Sequence, residues 1–95
     1  MVVTIITETR ARPGKAEALC AALCALAERK RQEPTCRSYV LNRDLQDGAL
    51  FASAESWESL AAWEAHLAQA YVADHMQATE GAVEAFSVRQ MAPIG

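Results

Sequence analysis

Trp63, His66, Tyr71 and His75 crowd into one short stretch of this sequence, and each brings a group that can work on a small molecule. A neutral imidazole at His66, with an ordinary pKa of about 6.5, can take a proton from a ligand near neutral pH. Tyr71 can donate its hydroxyl into a pocket, and Trp63 offers a flat wall to an aromatic ligand. Each also has a plain structural reading: a surface or capping histidine, a core tyrosine with a wet tip, a packed tryptophan. Tyr39, Asn42 and Arg43 form a second candidate group for ligand contact. Strand alternation puts Tyr39 and Arg43 on one face and Asn42 on the other, so the three cannot line one cavity together. A metal shared by His66 and His75 is disfavoured, because on one helix their separation along the axis is about 13.5 Å.

Other reactive groups are few. Cys20 and Cys24 stand four apart in a helical run, and Cys36 is alone. Side chains at that spacing lie about 5–6 Å apart at Cβ, too far for an unstrained disulfide, and no C-x-x-C spacing is present. The cysteines read as small buried hydrophobes in a reducing, cytoplasmic setting. A net charge of −3 lacks the basic footprint of a nucleic-acid binder. No apolar run approaches the ~20 residues that span a membrane. The apolar start, Met1-Val2-Val3-Thr4-Ile5-Ile6, has neither a basic leader nor a cleavage site, and it reads as a strand.

The elements that must hold these groups follow from periodicity. Residues 2–11 alternate with β-branched side chains, placing Val3, Ile5, Thr7 and Thr9 on one face and Val2, Thr4 and Ile6 on the other. Pro13-Gly14 ends that strand. Lys15 to about Arg31 is rich in alanine and leucine, with Leu19, Leu23 and Leu26 as its core stripe. The basic run Arg29-Lys30-Arg31 suits the negative end of this helix and is read as solvated. Glu33-Pro34-Thr35 closes it. Strands over 37–44 and 49–57 flank Gln46-Asp47-Gly48, a hairpin signal. A second helix is predicted from about Glu58 through His75 to Gly81, with Ser56 as N-cap and Leu60, Trp63, Leu67 and Tyr71 as its apolar stripe. That stripe leaves His66 on the flank, between core and solvent. Residues 83–91 form the last strand.

The order strand, helix, strand, strand, helix, strand folds, with right-handed crossovers, into a ferredoxin-like α+β domain. One four-stranded antiparallel sheet then carries both helices on one face, with residues 1–95 as a single domain. At this length roughly 65% of the unfolded surface is buried, which leaves little for a deep cavity. A drug-sized ligand is therefore expected to need a second copy. The outer sheet face still carries apolar residues such as Val2 and Ile6, and a homodimer through that face is the economical cover.

Several segments also resemble one known family. Arg12-Pro13-Gly14-Lys15 resembles its Pro-Gly-Lys opening of the first helix, and Glu33-Pro34-Thr35-Cys36-Arg37-Ser38-Tyr39 its Glu-Pro-Gly-Cys-x-x-Tyr segment. Glu55-Ser56-Trp57 resembles its Glu-x-Trp, and Leu60, Ala65 and His66 fall where its second helix carries an apolar residue and a histidine. From Val2 to Val88 the chain is similar to the antibiotic biosynthesis monooxygenase family, whose domains form dimeric α+β barrels. Thr35 replaces the family's common glycine, and Tyr71 stands where a second histidine is frequent. The resemblance implies a monooxygenase that oxidises a quinol or polycyclic phenol to a quinone with O2 and needs no cofactor. His66 and Tyr71 would then be catalytic, with Trp63, Tyr39, Asn42, Arg43 and His75 around the aromatic substrate. Two alternatives stay open. One is a non-catalytic dimeric small-molecule-binding or stress-associated protein. The other is a haem-degrading enzyme with His75 on the iron, although the asparagine those relatives carry in strand one is missing here.

Overall fold

The computed structural model describes residues 1–95 and follows the expected order, with the second helix broken in two. The elements are β1 (Val3–Ala11), α1 (Ala16–Arg31), β2 (Cys36–Arg43), β3 (Leu50–Trp57), α2 (Leu60–Leu67), α3 (Ala70–Thr79) and β4 (Val83–Met91), with a 3-10 turn at Glu80–Ala82. The strands pair antiparallel in the order β2-β3-β1-β4, the ferredoxin-like arrangement. Gly14, at φ 77°, makes the turn from β1 into α1, a conformation that costs glycine little.

β1 alternates as its sequence requires. Val3, Ile5, Thr9 and Ala11 are buried, while Thr4, Ile6, Glu8 and Arg10 point to the other face. The inward residues meet both helical layers. Ala11 packs with Leu19 and Leu23 of α1 and with Phe51, while Val3 and Ile5 pack with Trp57 and with Trp63 of α2. All the helices therefore lie on one face of the sheet. Full burial of a side chain such as Ile5 or Phe51 contributes about 1.5–3 kcal/mol, so these clusters pin the helices at two separate places. Between them the strand register aligns Thr7 with Ser53, Ile5 with Glu55 and Glu55 with Tyr39. A polar strip thus crosses the inner face of the sheet.

The helical region after β3 differs from expectation. Ser56 lies within β3, and the cap is Ser59, whose Oγ accepts the Ala62 N–H at 3.0 Å. α2 ends at Leu67, and Gln69 is extended (φ −74°, ψ 143°) before α3 begins. The buried face of α2 is Trp63 and His66, whereas Leu60 and Leu67 of the expected stripe are exposed. α3 ends at Thr79, so Gly81 lies in the 3-10 turn instead of capping a helix.

The hairpin loop is stitched by carboxylates: Asp44 Oδ2 accepts the N–H groups of Gln46 and Asp47 at 2.9 and 2.8 Å. The cysteines are free, and Cys24 is exposed, contrary to the expectation that all three are buried. No helix is long and apolar enough to cross a membrane.

Candidate functional site

Because the two apolar clusters hold the helices at separate places, the middle of the inner sheet face stays uncovered. A cavity of about 830 Å³ lies there, between β1 and β4 on one side and the three helices on the other. Ligand pockets commonly measure about 300–1,000 Å³. One copy of the chain therefore holds more room than its length suggests, in a chamber left open on one side. Leu23, Leu26, Val72 and Met76 make its walls apolar, and the polar strip of Thr7, Tyr39 and Glu55 forms part of its floor. Its mouth lies along β4, where Phe86 is 52% exposed although it faces inward.

His66 lines this cavity and is 1% exposed. Its ring packs on Trp57 with centroids 4.5 Å apart. Glu33, at the end of α1, collects three donors: Nδ1 of His66, the Tyr71 hydroxyl and Nε2 of Gln69, the last at 2.6 Å. On an unbroken helix, residues five apart point about 140° away from each other. The break at Ala68-Gln69 lets both His66 and Tyr71 reach one carboxylate. Tyr71 remains a phenol, since burial and the Glu33 bond and charge raise its pKa. Arg29 lies over the Tyr71 ring, 4.3 Å from its centroid.

A carboxylate only accepts, so Glu33 places the imidazole proton on Nδ1. The opposite nitrogen, Nε2, is buried and finds no hydrogen-bond partner in the chain. Buried polar atoms are nearly always paired, so this orphan, on a residue of the cavity wall, stands out as an unmatched acceptor. In the neutral tautomer Nε2 carries a lone pair, and its chemistry is that of a proton acceptor.

Glu55 organises the floor. Its Oε1 accepts Trp57 Nε1 at 2.9 Å, while Oε2 accepts Ser53 Oγ at 3.1 Å and Lys30 Nζ at 3.2 Å. Lys30 is buried and stands over the Tyr39 ring, 4.8 Å from its centroid. It was expected to be solvated with Arg29 and Arg31, and only those two are. Burial and the nearby Glu55 charge push the Tyr39 phenol up to about 12, so it stays protonated. Burial, and then the Lys30 charge, lower the pKa of His75.

Of the residues singled out by sequence, Trp63, His66, Tyr39 and His75 line the cavity. The other three do not. Tyr71 commits its hydroxyl to Glu33 instead of the pocket. Asn42 sits on the outer face and donates to the Ala52 carbonyl at 3.4 Å, and Arg43 pairs with Glu17 of α1 at 2.6 Å. In the sequence Glu33 stands out as closing a helix and as the first residue of the Glu33–Tyr39 segment, with no role in the site, and Gln69 does not stand out. The sequence did contain a sign of Lys30: eleven residues after Leu19, close to three helical turns, Lys30 falls on the Leu19–Leu23–Ala27 stripe. Glu55, of the Glu55-Ser56-Trp57 segment, is held by hydrogen bonds from Ser53 and Trp57 and by this lysine.

The sequence profile of the antibiotic biosynthesis monooxygenases matches residues 2–79. Among solved structures, the protein PA3566 from Pseudomonas aeruginosa superposes with a TM-score of 0.94 at 31% identity, covering 99% of this chain and 95% of that one. Rv0793 from Mycobacterium tuberculosis gives 0.91 at 25% identity, covering 100% and 97%. SnoaB, a cofactor-independent oxygenase from Streptomyces nogalater, shares the fold with a TM-score of 0.85 at 15% identity, covering 97% and 92%. No curated protein matches the sequence.

Proposed function

Because the chain belongs to the antibiotic biosynthesis monooxygenase family, we propose that it oxidises a quinol or polycyclic phenol to a quinone with O2 and without a cofactor, using His66 as base. The observation that carries this reading is the buried, unpartnered Nε2 of His66 on an apolar cavity, with Nδ1 held by Glu33. The description of SnoaB as a cofactor-independent oxygenase adds support at the level of fold.

The substrate ring lies in the cavity against Trp63, with a hydroxyl on His66 Nε2. Proton transfer gives a phenolate, electron-rich enough to reduce O2 itself, and an imidazolium whose Nδ1–H stays on Glu33. Insertion of one oxygen atom at a ring C–H and release of the other as water balances the reaction: phenol plus O2 gives quinone plus water. Tyr71 is a positioning residue in this scheme, because its hydroxyl reaches Glu33 and not the cavity. General base assistance is worth about 10²–10⁴ in rate. The decisive assay is oxygen uptake by the purified protein, freed of metals, with a panel of quinols and polycyclic phenols. Uptake above the spontaneous rate, lowered by that factor in His66→Gln, is expected. Absence of uptake with every substrate, or full activity in His66→Gln, would overturn the proposal.

The working unit of this proposal is a homodimer that covers the outer sheet face. That face presents Ile6, Ala54, Met91 and Val40, the last 53% exposed. Ala54 lies at its centre, paired with Ile6 on one side and Val40 on the other. Ala54→Arg is expected to give a folded monomer in sedimentation equilibrium. A dimer unchanged by Ala54→Arg would move the contact elsewhere.

A further inference from the structure

We propose that Lys30 is a substrate-binding residue, whose ammonium receives an ionised ring oxygen of the ligand, a phenolate or enolate, in the cavity it shares with His66. The assignment rests on the aromatic-substrate reading and adds to it a charge requirement: the hydroxyl the site prefers is an acidic one.

The Lys30–Glu55 pair is unevenly bonded. The carboxylate has donors on both oxygens, from Trp57 and Ser53 besides the lysine. The ammonium has three N–H groups, and it spends one, on Glu55. That bond, at 3.2 Å, is longer than the roughly 2.7–2.9 Å of a tight charge-assisted contact. Lys30 is 8% exposed, so its remaining donors are not in bulk solvent. They lie where the cavity is, since Lys30 lines it, stands over Tyr39, and is close enough to act on His75. Arg12, Tyr39, Glu55, His66, His75 and Glu80 are the other titratable groups that line the cavity, and Glu55 is the one that carries a bond to Nζ. A lysine serving only to neutralise Glu55 has no need of a place on the cavity wall. An acceptor at His66 Nε2 and a cation at Lys30 within one apolar chamber match a ring that gives up a proton and keeps the negative charge.

The test uses 7-hydroxycoumarin, whose absorbance reports its own ionisation, and 7-methoxycoumarin, which has the same rings and cannot ionise. On the wild-type protein the hydroxycoumarin is expected to ionise at lower pH than in water and to bind more tightly as the anion. Lys30→Met should weaken anion binding about tenfold to a hundredfold and abolish the shift. Lys30→Arg should restore the shift, and 7-methoxycoumarin should bind wild type and Lys30→Met alike. If Lys30→Met fails to fold with Glu55 left unpaired, the charge-neutral double variant Lys30→Met with Glu55→Gln carries the same expectation. Anion binding and shift unchanged in these variants, with 7-methoxycoumarin still bound, would overturn the Lys30 assignment and leave the proposed function standing. Failure of both coumarins to bind the wild type would overturn the aromatic cavity and this inference together.

Discussion

Glu55 lines the cavity and Glu33 holds His66, which lines it too, and each carboxylate draws three donors. Glu55 sits mid-strand in β3, and two of its donors, Ser53 and Trp57, are on the same strand two residues away. Glu33 sits after the end of α1, and all its donors come from the broken helical segment more than thirty residues later. Around Glu55 the bonded side-chain atoms of Trp57 and Ser53 are satisfied, and the carboxylate is enclosed. Around Glu33 one donor is a histidine, and satisfying its Nδ1 leaves Nε2 buried and unmatched. The same number of bonds thus encloses the Glu55 carboxylate, with spare donors left only on Lys30, and at Glu33 leaves a buried acceptor unmatched. The difference lies in what the donors are: an indole has one polar atom, and an imidazole has two.

The contrast breaks most visibly at Glu55. Glu55→Ala strands the buried Lys30 ammonium, and losing one partner of a buried pair costs about 3–5 kcal/mol. Urea unfolding should show that loss, a large part of the roughly 5–15 kcal/mol that holds a domain folded. A stability change within ~0.5 kcal/mol would mean that the floor is not the closed structural unit described here. Glu33→Gln should act the other way, lowering turnover about tenfold to a hundredfold through loss of a charge-assisted bond to the imidazolium, with a smaller change in stability. Equal unfolding costs at the two positions would erase the distinction between them.

Tyr71→Phe sharpens the comparison with the smallest effect. One of three donors to Glu33 disappears, worth about 0.5–1.5 kcal/mol, and turnover should drop only several-fold. Loss as large as that of His66→Gln would return the hydroxyl to the cavity. The same variant isolates the other tyrosine, because the chain has two. Tyrosinate absorbance should then rise at about pH 12, from Tyr39, instead of the ordinary 10. The sign for stability follows: the folded state holds Tyr39 as the phenol, so its contribution is complete below the unfolded pKa and fades as pH rises through about 12. A midpoint at the ordinary value would show that Tyr39 is not buried beside Glu55.

Much of the fold was legible because it follows from alternation and turn residues. The inward face of β1, the Pro13-Gly14 break, the hairpin and the Leu19–Leu23 stripe all appear where periodicity puts them. The site was less legible, and for one physical reason in particular. Ala68 and Gln69 carry no helix-breaking side chain, so the pattern from Glu58 to Gly81 reads as one helix. On that helix His66 drifts to the flank and Tyr71 joins the core stripe. Residues on both sides of the break meet at Glu33, whose partners lie 33–38 positions along the chain and leave no trace in local spacing. Lys30 was hidden by composition instead, since a basic residue at a helix end is usually solvated, even though its position on the buried stripe was countable.

Everything proposed for His66 requires that Glu33 keep the imidazole proton on Nδ1 and leave Nε2 as an acceptor. Nitrogen NMR of the two histidines, at a pH above the ordinary histidine range and with His75→Gln to assign them, reads this directly. The account predicts a protonated Nδ1 and an unprotonated, pyridine-like Nε2 at His66, and a change in that balance in Glu33→Gln. A proton on Nε2 in the wild-type protein would contradict it.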